Sequence, residues 1–184
     1  SRGLGDVYKR QEYTTEISKM LSKNNTVHTV IPFDQIAQVD LKNSDSFILS
    51  GRRRNDQKMN AINSKIVNYV ISEKKALLGI CYGAEILALT LGGTIRKLGN
   101  SVNGIQKVKI IAPNSLSEKD IEAFQSHSYE ISKLGNQLQN FGSSDTCQYE
   151  IIKHQTLPIF GTQFHPEMSK DGQLLIESFL KIIH

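Results

Sequence analysis

Hydrophobic and polar positions follow two patterns along this chain, one helical and one extended. From Glu12, apolar residues recur every three or four positions, which predicts a helix that ends at Asn24-Asn25. The apolar face of this helix would consist of Tyr13, Ile17, Met20 and Leu21. The β-branched run at 26–31 then predicts a strand, which Pro32 closes.

Short apolar runs and helical patterns continue to alternate over the next sixty residues. Residues 46–50 and 76–80 predict two strands, and the helical pattern at 57–72 lies between them. Residues 84–91 predict another helix, which Gly92-Gly93 stops. Alternation of short apolar strands with helices favours an open, mostly parallel, twisted α/β sheet with helices on its faces.

The second half of the chain changes character. Between residues 101 and 153, the strand-like runs 106–111 and 149–153 are separated by turn residues, which predicts a small antiparallel section. Residues 157–164 predict one more strand. A closing amphipathic helix at 170–183 would bury Leu174, Phe179, Leu180 and Ile183. The sequence contains no apolar run long enough for a membrane-spanning helix, so no membrane partner is expected.

The first eleven residues, SRGLGDVYKRQ, differ from the rest and resemble a translated adapter sequence. We therefore interpret residues 1–11 as a non-native tail and residues 12–184 as one domain. The alternative is a genuine basic terminus. The 184-residue chain has a formal net charge of +4, and loss of three cations and one Asp with the tail lowers this to +2. So small an excess gives no support for a nucleic-acid partner.

Two cysteines are too few for a disulfide framework, which favours reduced thiols in the cytoplasm. Cys81 stands between two glycines in G-I-C-Y-G, residues 79–83, where a predicted strand meets a helix. A nucleophile elbow has this form, with small flanking residues because the turn is sharp. The helix N-terminus would stabilise a thiolate, and the backbone N–H of Tyr82 would face an oxyanion. The alternative is a buried cysteine in an ordinary turn.

A second chemical motif, G-T-Q-F-H-P-E, ends the strand predicted at 157–164. His165 and Glu167 are two positions apart, so an extended backbone places both on one side. Glu167 would then accept from one imidazole nitrogen while the other nitrogen faces Cys81, and Pro166 would stiffen the pair. A thiol, an imidazole base and an acid that orients the base form a catalytic triad. Alone, H-P-E also suits a simple turn.

Together with L-S-G at 49–51 and S-H at 126–127, these motifs resemble class I glutamine amidotransferases, in the family's order. The resemblance implies a flavodoxin-like fold and hydrolysis of glutamine to glutamate and ammonia. Cys81 would attack the carboxamide and form a γ-glutamyl thioester. His165 would protonate the departing ammonia and then activate water, and Glu167 would orient His165. No metal or cofactor is implied for this chain.

Within the family, the elbow and the H-P-E ending are most similar to the glutaminase subunits of two-subunit, archaeal-type GMP synthetases. This similarity implies a partner synthetase, an ATP pyrophosphatase that carries ATP, Mg²⁺ and xanthosine monophosphate. Glutaminase subunits of anthranilate and aminodeoxychorismate synthases are relatives of similar length and remain alternatives. A non-catalytic binding subunit is a further alternative.

The resemblance also implies a set of substrate-binding positions, namely Ser50, Gly51, Arg52, Tyr82, Glu85, Ser126 and His127. Two of them depart from the family pattern. Glu85 stands where the family usually has glutamine, and a carboxylate cannot donate as an amide does. Arg52 stands where a glycine is usual, and its backbone N–H could serve the oxyanion only if its φ suits arginine. Both departures bear on substrate geometry and leave the triad intact.

The family begins with an apolar strand that precedes the first helix. That strand lies inside the sheet, between the strands predicted here at 26–31 and 46–50, and the tail occupies its place. We therefore expect an N-terminally truncated chain of low stability, because two strands lose a neighbour. A cooperative thermal melt in the ordinary mesophile range would contradict this expectation.

Overall fold

The computed structural model describes residues 4–51 and 56–184, with side chains from Tyr13 onward. The helices in these ranges are α1 (Leu4–Lys23), α2 (Gln38–Lys42), α3 (Gln57–Ser72), α4 (Tyr82–Thr90) and α5 (Lys170–Ile183). The strands are β1 (Ser46–Leu49), β2 (Ala76–Ile80), β3 (Thr94–Ile110), β4 (Ile121–Lys133), β5 (Leu138–Ser143), β6 (Ile151–His154) and β7 (Ile159–Thr162). Short 3₁₀ helices occupy Phe33–Gln35 and Pro166–Met168.

The strands form one sheet in the order β1-β2-β7-β6-β5-β3-β4. β1, β2 and β7 are parallel neighbours, and every other pairing is antiparallel. The predicted open α/β sheet flanked by helices is confirmed, with an antiparallel section larger than expected. The long hairpin of β3 and β4 extends well beyond the strand predicted at 106–111, and β4 was not predicted as an individual strand.

Helices cover both faces of the parallel strands. β2 is buried along its whole length, and its successive side chains enter opposite layers. Leu78 packs into the core shared with α1 and α5, whereas Leu77 packs into the core shared with α3 and α4. Burial on both faces explains why this strand is a continuous apolar run rather than an alternating one.

Local signals fix several helix ends. Asp56 caps α3, and its carboxylate accepts from the backbone N–H of Met59 at 3.1 Å. Ser169 caps α5 in the same way through Gly172 at 3.0 Å. The bounds of both helices and of β2 agree with the sequence prediction. α1 ends where Asn25 adopts a left-handed conformation with φ 55°.

The prediction of a strand at 26–31 is wrong, because these residues have no regular secondary structure. The side chains of Val27 and Val30 are exposed, Val27 completely. A β-branched run becomes a strand only where a neighbour completes its hydrogen bonds, and β1 has no outer neighbour within the described residues. The lost first strand stays a prediction.

Two further expectations concern the terminal helices. α1 begins at Leu4, inside the segment interpreted as a tail, and that interpretation stays a prediction. On α5, the prediction that Leu174 is buried is wrong, since this side chain is 57% exposed. The helical stripe that faces the core instead includes Leu175, Ile176, Phe179 and Leu180. Leu174 lies outside this stripe.

No helix in the described part of the chain has the length and apolar content needed to cross a bilayer.

Candidate active site

Cys81 lies at the carboxyl end of β2, as the N-cap of α4. It adopts φ 53° and ψ −102°, a conformation that is costly for a residue with a β-carbon, by about 1–3 kcal/mol. Its backbone N–H donates to the carbonyl of Thr162 at 2.7 Å. Because β2 and β7 are parallel neighbours, this bond joins the elbow to the strand end that leads into the second motif.

The two glycines of the elbow leave no room for side chains. A Cβ on Gly83 would lie 2.1 Å from the carbonyl oxygen of Leu49, at the end of β1. A Cβ on Gly79 would lie 2.6 Å from the carbonyl group of Gly83. Real Cβ atoms do not approach backbone so closely, so both positions require glycine for packing. The sharp turn expected from the sequence has this steric basis.

His165 and Glu167 follow β7 and lie together in the interior. The backbone N–H of His165 donates to the carbonyl of Phe124 at 2.9 Å, which ties this segment to β4. Oε1 of Glu167 lies 3.2 Å from Nδ1 of His165, and both side chains are buried. The two atoms are at ion-pair distance without the alignment of a hydrogen bond. A carboxylate at this distance would stabilise a protonated imidazole.

Aromatic rings surround the imidazole of His165. The ring of Tyr13, on α1, stacks on it with centroids 4.3 Å apart and an interplanar angle of 28°. The ring of Phe124 meets it edge-on, with centroids 6.5 Å apart. The sequence pattern did not indicate that Tyr13 is a site residue. Its position on the apolar face of a helix predicted burial and gave no hint of this contact.

Gln163 connects the two motifs. Its Nε2 donates to Oε2 of Glu85 at 3.0 Å and lies 3.9 Å from Sγ of Cys81. All three side chains are buried. Gln163 belongs to the motif G-T-Q-F-H-P-E but was not predicted as a site residue. Its position two residues before His165 could have revealed it, because alternate residues of an extended chain share a side.

β4 brings Ser126 to the elbow through its backbone. The carbonyl oxygen of Ser126 lies 3.9 Å from Sγ of Cys81. The imidazole of His127 is held by the side-chain oxygen of Gln125 and the carbonyl of Tyr129, each at 2.8 Å. Burial lowers the pKa of His127. This ring is therefore engaged in the hairpin, and the segment approaches Cys81 through main-chain atoms.

The other cysteine is part of a buried polar cluster next to the site. Sγ of Cys147 lies 3.9 Å from Nε2 of His127, and burial raises the pKa of its thiol. The amide of Gln125 donates to Oε2 of Glu150 at 2.5 Å. Burial raises the pKa of Glu150 to about 7, and the carboxylate of Glu130 adds to the increase.

The remaining predicted substrate positions lie around the elbow. The hydroxyl of Tyr82 donates to Oδ1 of Asn60 at 2.7 Å and accepts from Asn63 at 3.3 Å, so its side chain faces α3. Only the backbone N–H of Tyr82, and not its hydroxyl, is therefore a candidate for contact with the substrate. Ser50 and Gly51 follow β1, and Gly51 has φ 147°. The prediction for Arg52 falls outside the described residues. Among the described residues, no three His, Cys, Asp or Glu side chains are grouped to hold a metal ion.

The chain is similar in sequence to known proteins. The family model of class I glutamine amidotransferases matches residues 5–182. One subunit of the glutamine-hydrolysing GMP synthase of Methanocaldococcus jannaschii is 31% identical over 121 residues, which are 63% of this chain and 64% of that protein. The aligned part thus spans just under two thirds of that relative's length. The subunit of the same name from Thermoplasma acidophilum is 30% identical over 162 residues, 85% of this chain and 80% of that protein.

The fold has solved counterparts. A crystal structure of a T. acidophilum protein described as a GMP synthase subunit superposes with a TM-score of 0.83 at 27% identity. The superposition covers 92% of this chain and 87% of that one. Since the family model spans nearly all of the sequence and the elbow and the His165–Glu167 pair lie at adjacent strand ends, the chain belongs to the class I glutamine amidotransferase family.

Proposed function

We propose that this chain is a glutaminase subunit that hydrolyses glutamine to glutamate and ammonia through Cys81, His165 and Glu167. The observation that supports this proposal most is the elbow. Cys81 is held at φ 53° at the end of β2, and the buried His165–Glu167 pair follows the adjacent strand β7. A strained cysteine at one strand end, with an imidazole and its carboxylate partner after the adjacent strand, suits acyl transfer from an amide.

In the proposed reaction, the thiolate of Cys81 attacks the side-chain carboxamide carbon of glutamine, and a C–S bond forms. The oxyanion is stabilised by backbone N–H groups, including that of Tyr82. The C–N bond then breaks, and His165 donates the proton with which ammonia leaves. Water next attacks the thioester while His165 accepts its proton, the C–S bond breaks, and glutamate departs. Glu167 stabilises the imidazolium of His165 both before ammonia leaves and after water has given up its proton.

The ammonia would pass to a separate synthetase subunit. Relatives named as one subunit of a glutamine-hydrolysing GMP synthase support this part of the proposal. The partner would be an ATP pyrophosphatase that holds ATP and Mg²⁺ and aminates xanthosine monophosphate. Free thiols at both Cys81 and Cys147 suit a reducing compartment, so we place the complex in the cytoplasm.

Ammonia release from glutamine tests the proposal, measured with the synthetase partner, ATP, Mg²⁺ and xanthosine monophosphate present. We expect Cys81→Ala to abolish release. Cys147→Ala is the matched control and should retain it, because that buried thiol has a raised pKa. A Cys81→Ala variant that keeps the wild-type rate would refute the catalytic assignment. If ammonia release instead requires chorismate and a chorismate-using partner, the proposed role in GMP synthesis is wrong and the catalytic assignment stands.

Labelling gives a second, partner-independent measurement. The diazoketone analogue of glutamine alkylates a thiolate that attacks the position of the scissile carboxamide. We expect mass spectrometry to place the adduct on Cys81 in the wild type and in Cys147→Ala. An adduct that appears only on Cys147 would contradict the assignment of the nucleophile.

A further inference from the structure

We propose that Tyr13 is a positioning residue for His165, and that its ring fixes the plane of the imidazole. This inference rests on the proposed function, since it assigns a task to a residue that acts through the base. The two rings stack with centroids 4.3 Å apart and planes 28° from parallel. Stacking is one of the arrangements that aromatic pairs prefer.

α1 holds Tyr13 in place independently of the stacking. Ile17, Met20 and Leu21 on the same helix are buried in the core shared with α5. Tyr13 precedes Ile17 by four residues, so both lie on one face of the helix. The tyrosine therefore projects from an anchored helix toward the segment that follows β7.

The polar contacts of His165 leave the plane of its ring underdetermined. A backbone hydrogen bond to Phe124 fixes the main chain, and Glu167 lies 3.2 Å from Nδ1 without hydrogen-bond alignment. The outer side-chain torsion of histidine has broad minima, so these contacts alone permit rotation of the imidazole. Stacking on Tyr13 restricts this rotation, because a rotated ring would lose the face-to-face contact. The edge-on ring of Phe124, with centroids 6.5 Å apart, is a second and more distant aromatic contact.

Ring orientation matters because a general acid or base acts only within hydrogen-bond reach of its proton partner. Rotation of the imidazole would misdirect Nε2 during both proton transfers. An aromatic face also stabilises the imidazolium that donates the first proton and that forms again in the second transfer. Both effects act on the chemical step, so loss of the ring should lower kcat and leave KM nearly unchanged.

Two substitutions at position 13 distinguish the effect of the aromatic ring from the effects of side-chain volume and of the hydroxyl. Tyr13→Phe keeps the aromatic face, whereas Tyr13→Leu keeps apolar volume without it. Tyr69→Leu is the matched control, because Tyr69 is another partly buried tyrosine on a helix, near Lys75 at the opposite end of β2. Glutaminase assays with the synthetase partner present should give a kcat about tenfold lower for Tyr13→Leu. KM should change by less than about twofold, and Tyr13→Phe and Tyr69→Leu should match the wild type.

Proton NMR of the His165 ring supplies a readout that needs no activity. Stacking on Tyr13 should shift the imidazole ring protons upfield, and this shift should persist in Tyr13→Phe and disappear in Tyr13→Leu. Unfolding midpoints recorded on the same samples show whether each variant is folded at the assay temperature.

The possible outcomes separate the two proposals. Equal kcat values and equal ring-proton shifts in wild type and Tyr13→Leu would overturn the positioning role. A Tyr13→Phe variant as slow as Tyr13→Leu would also overturn it, because the hydroxyl would then carry the effect. If Cys81→Ala releases ammonia like the wild type, the proposed function fails, while the NMR shift still tests the stacking.

Discussion

The side-chain amide of Gln163 donates a hydrogen bond to the carboxylate of Glu85 across 3.0 Å, beside Sγ of Cys81. Neither side chain reaches solvent appreciably. A carboxylate only accepts, and the amide nitrogen of Gln163 only donates, so the two groups are complementary. The departure at position 85 from the family's usual glutamine is therefore matched by a partner within the second motif. Glu85 connects the elbow to the His165 segment in this chain.

This connection should be measurable as a coupling free energy. We expect the double-mutant cycle of Glu85→Ala and Gln163→Ala to give a coupling on the order of 1–3 kcal/mol, because a buried hydrogen bond to a carboxylate is lost with either partner. Urea denaturation of the wild type, both single variants and the double variant provides the four free energies of unfolding.

An exposed hydroxyl pair serves as the control for that cycle. Thr94 and Ser132 hydrogen-bond at 2.8 Å on the surface of the hairpin. Their cycle should give only a few tenths of a kcal/mol, since water replaces either partner. Additive losses for Glu85→Ala and Gln163→Ala would mean that the buried contact contributes no coupling.

Glu167→Gln should impair catalysis without unfolding the chain. The substitution keeps the shape of the side chain and removes the charge that lies 3.2 Å from Nδ1 of His165. We expect kcat for ammonia release to fall by roughly 10²–10⁴, as in other triads that lose the acid. Glu118→Gln removes an exposed carboxylate in the connection between β3 and β4 and should leave kcat unchanged. A Glu167→Gln variant with half of the wild-type kcat would remove Glu167 from the triad.

Local patterns were sufficient to predict much of this fold. The regular apolar spacing predicted α3 and α5 with the bounds at which the structure shows the Asp56 and Ser169 caps. The elbow could also be located, because the close approach of Gly79 to Gly83 lies within two residues of Cys81 on either side. Such features depend on neighbours in sequence, which a single chain displays directly.

Contacts between distant segments could not be predicted in the same way. The run at 26–31 has strand composition, yet Val27 and Val30 are exposed, since no described strand offers hydrogen bonds there. Tyr13 belongs to a helical apolar stripe, and only the packing of α1 shows that it meets His165. Propensity and periodicity describe which face is apolar, but they do not identify its neighbour.

The packing of the elbow predicts a large difference between two glycine substitutions. Gly83→Ala would place a methyl group 2.1 Å from the carbonyl of Leu49, so β1 or α4 must move. We expect a loss of at least about 2 kcal/mol in the free energy of unfolding. Gly99→Ala is the matched control on β3, because no heavy atom lies within 4 Å of the new Cβ and its φ is not positive. Thermal and urea unfolding measure both variants, and equal midpoints would contradict the close approach of β1 and α4.

The buried carboxyl of Glu150 predicts a characteristic pH dependence of stability. Burial raises its pKa from 4.5 to about 7, despite hydrogen bonds from Ser144 and Gln125 that oppose the increase. Between these two values the folded chain retains a proton that the unfolded chain has released. The contribution of Glu150 to the free energy of unfolding is therefore greatest below about pH 4.5 and is lost as pH rises through about 7. The loss is on the order of 3 kcal/mol.

Glu150→Gln isolates this contribution, because glutamine resembles the protonated acid and keeps an oxygen that accepts from Gln125. The free energy of unfolding should be measured in urea at intervals from about pH 5 to about pH 8. The free energy of unfolding of the variant, relative to that of the wild type, should increase as pH rises to about 7 and should be constant at higher pH. Lowered pKa values of His127 and His154 act in the opposite direction, but they affect both proteins and cancel in the difference. Glu122→Gln, at an exposed position of β4, should give a pH-independent difference. If Glu150→Gln behaves like Glu122→Gln, Glu150 is ionised in the folded chain across this range, and the proton it is predicted to hold is absent.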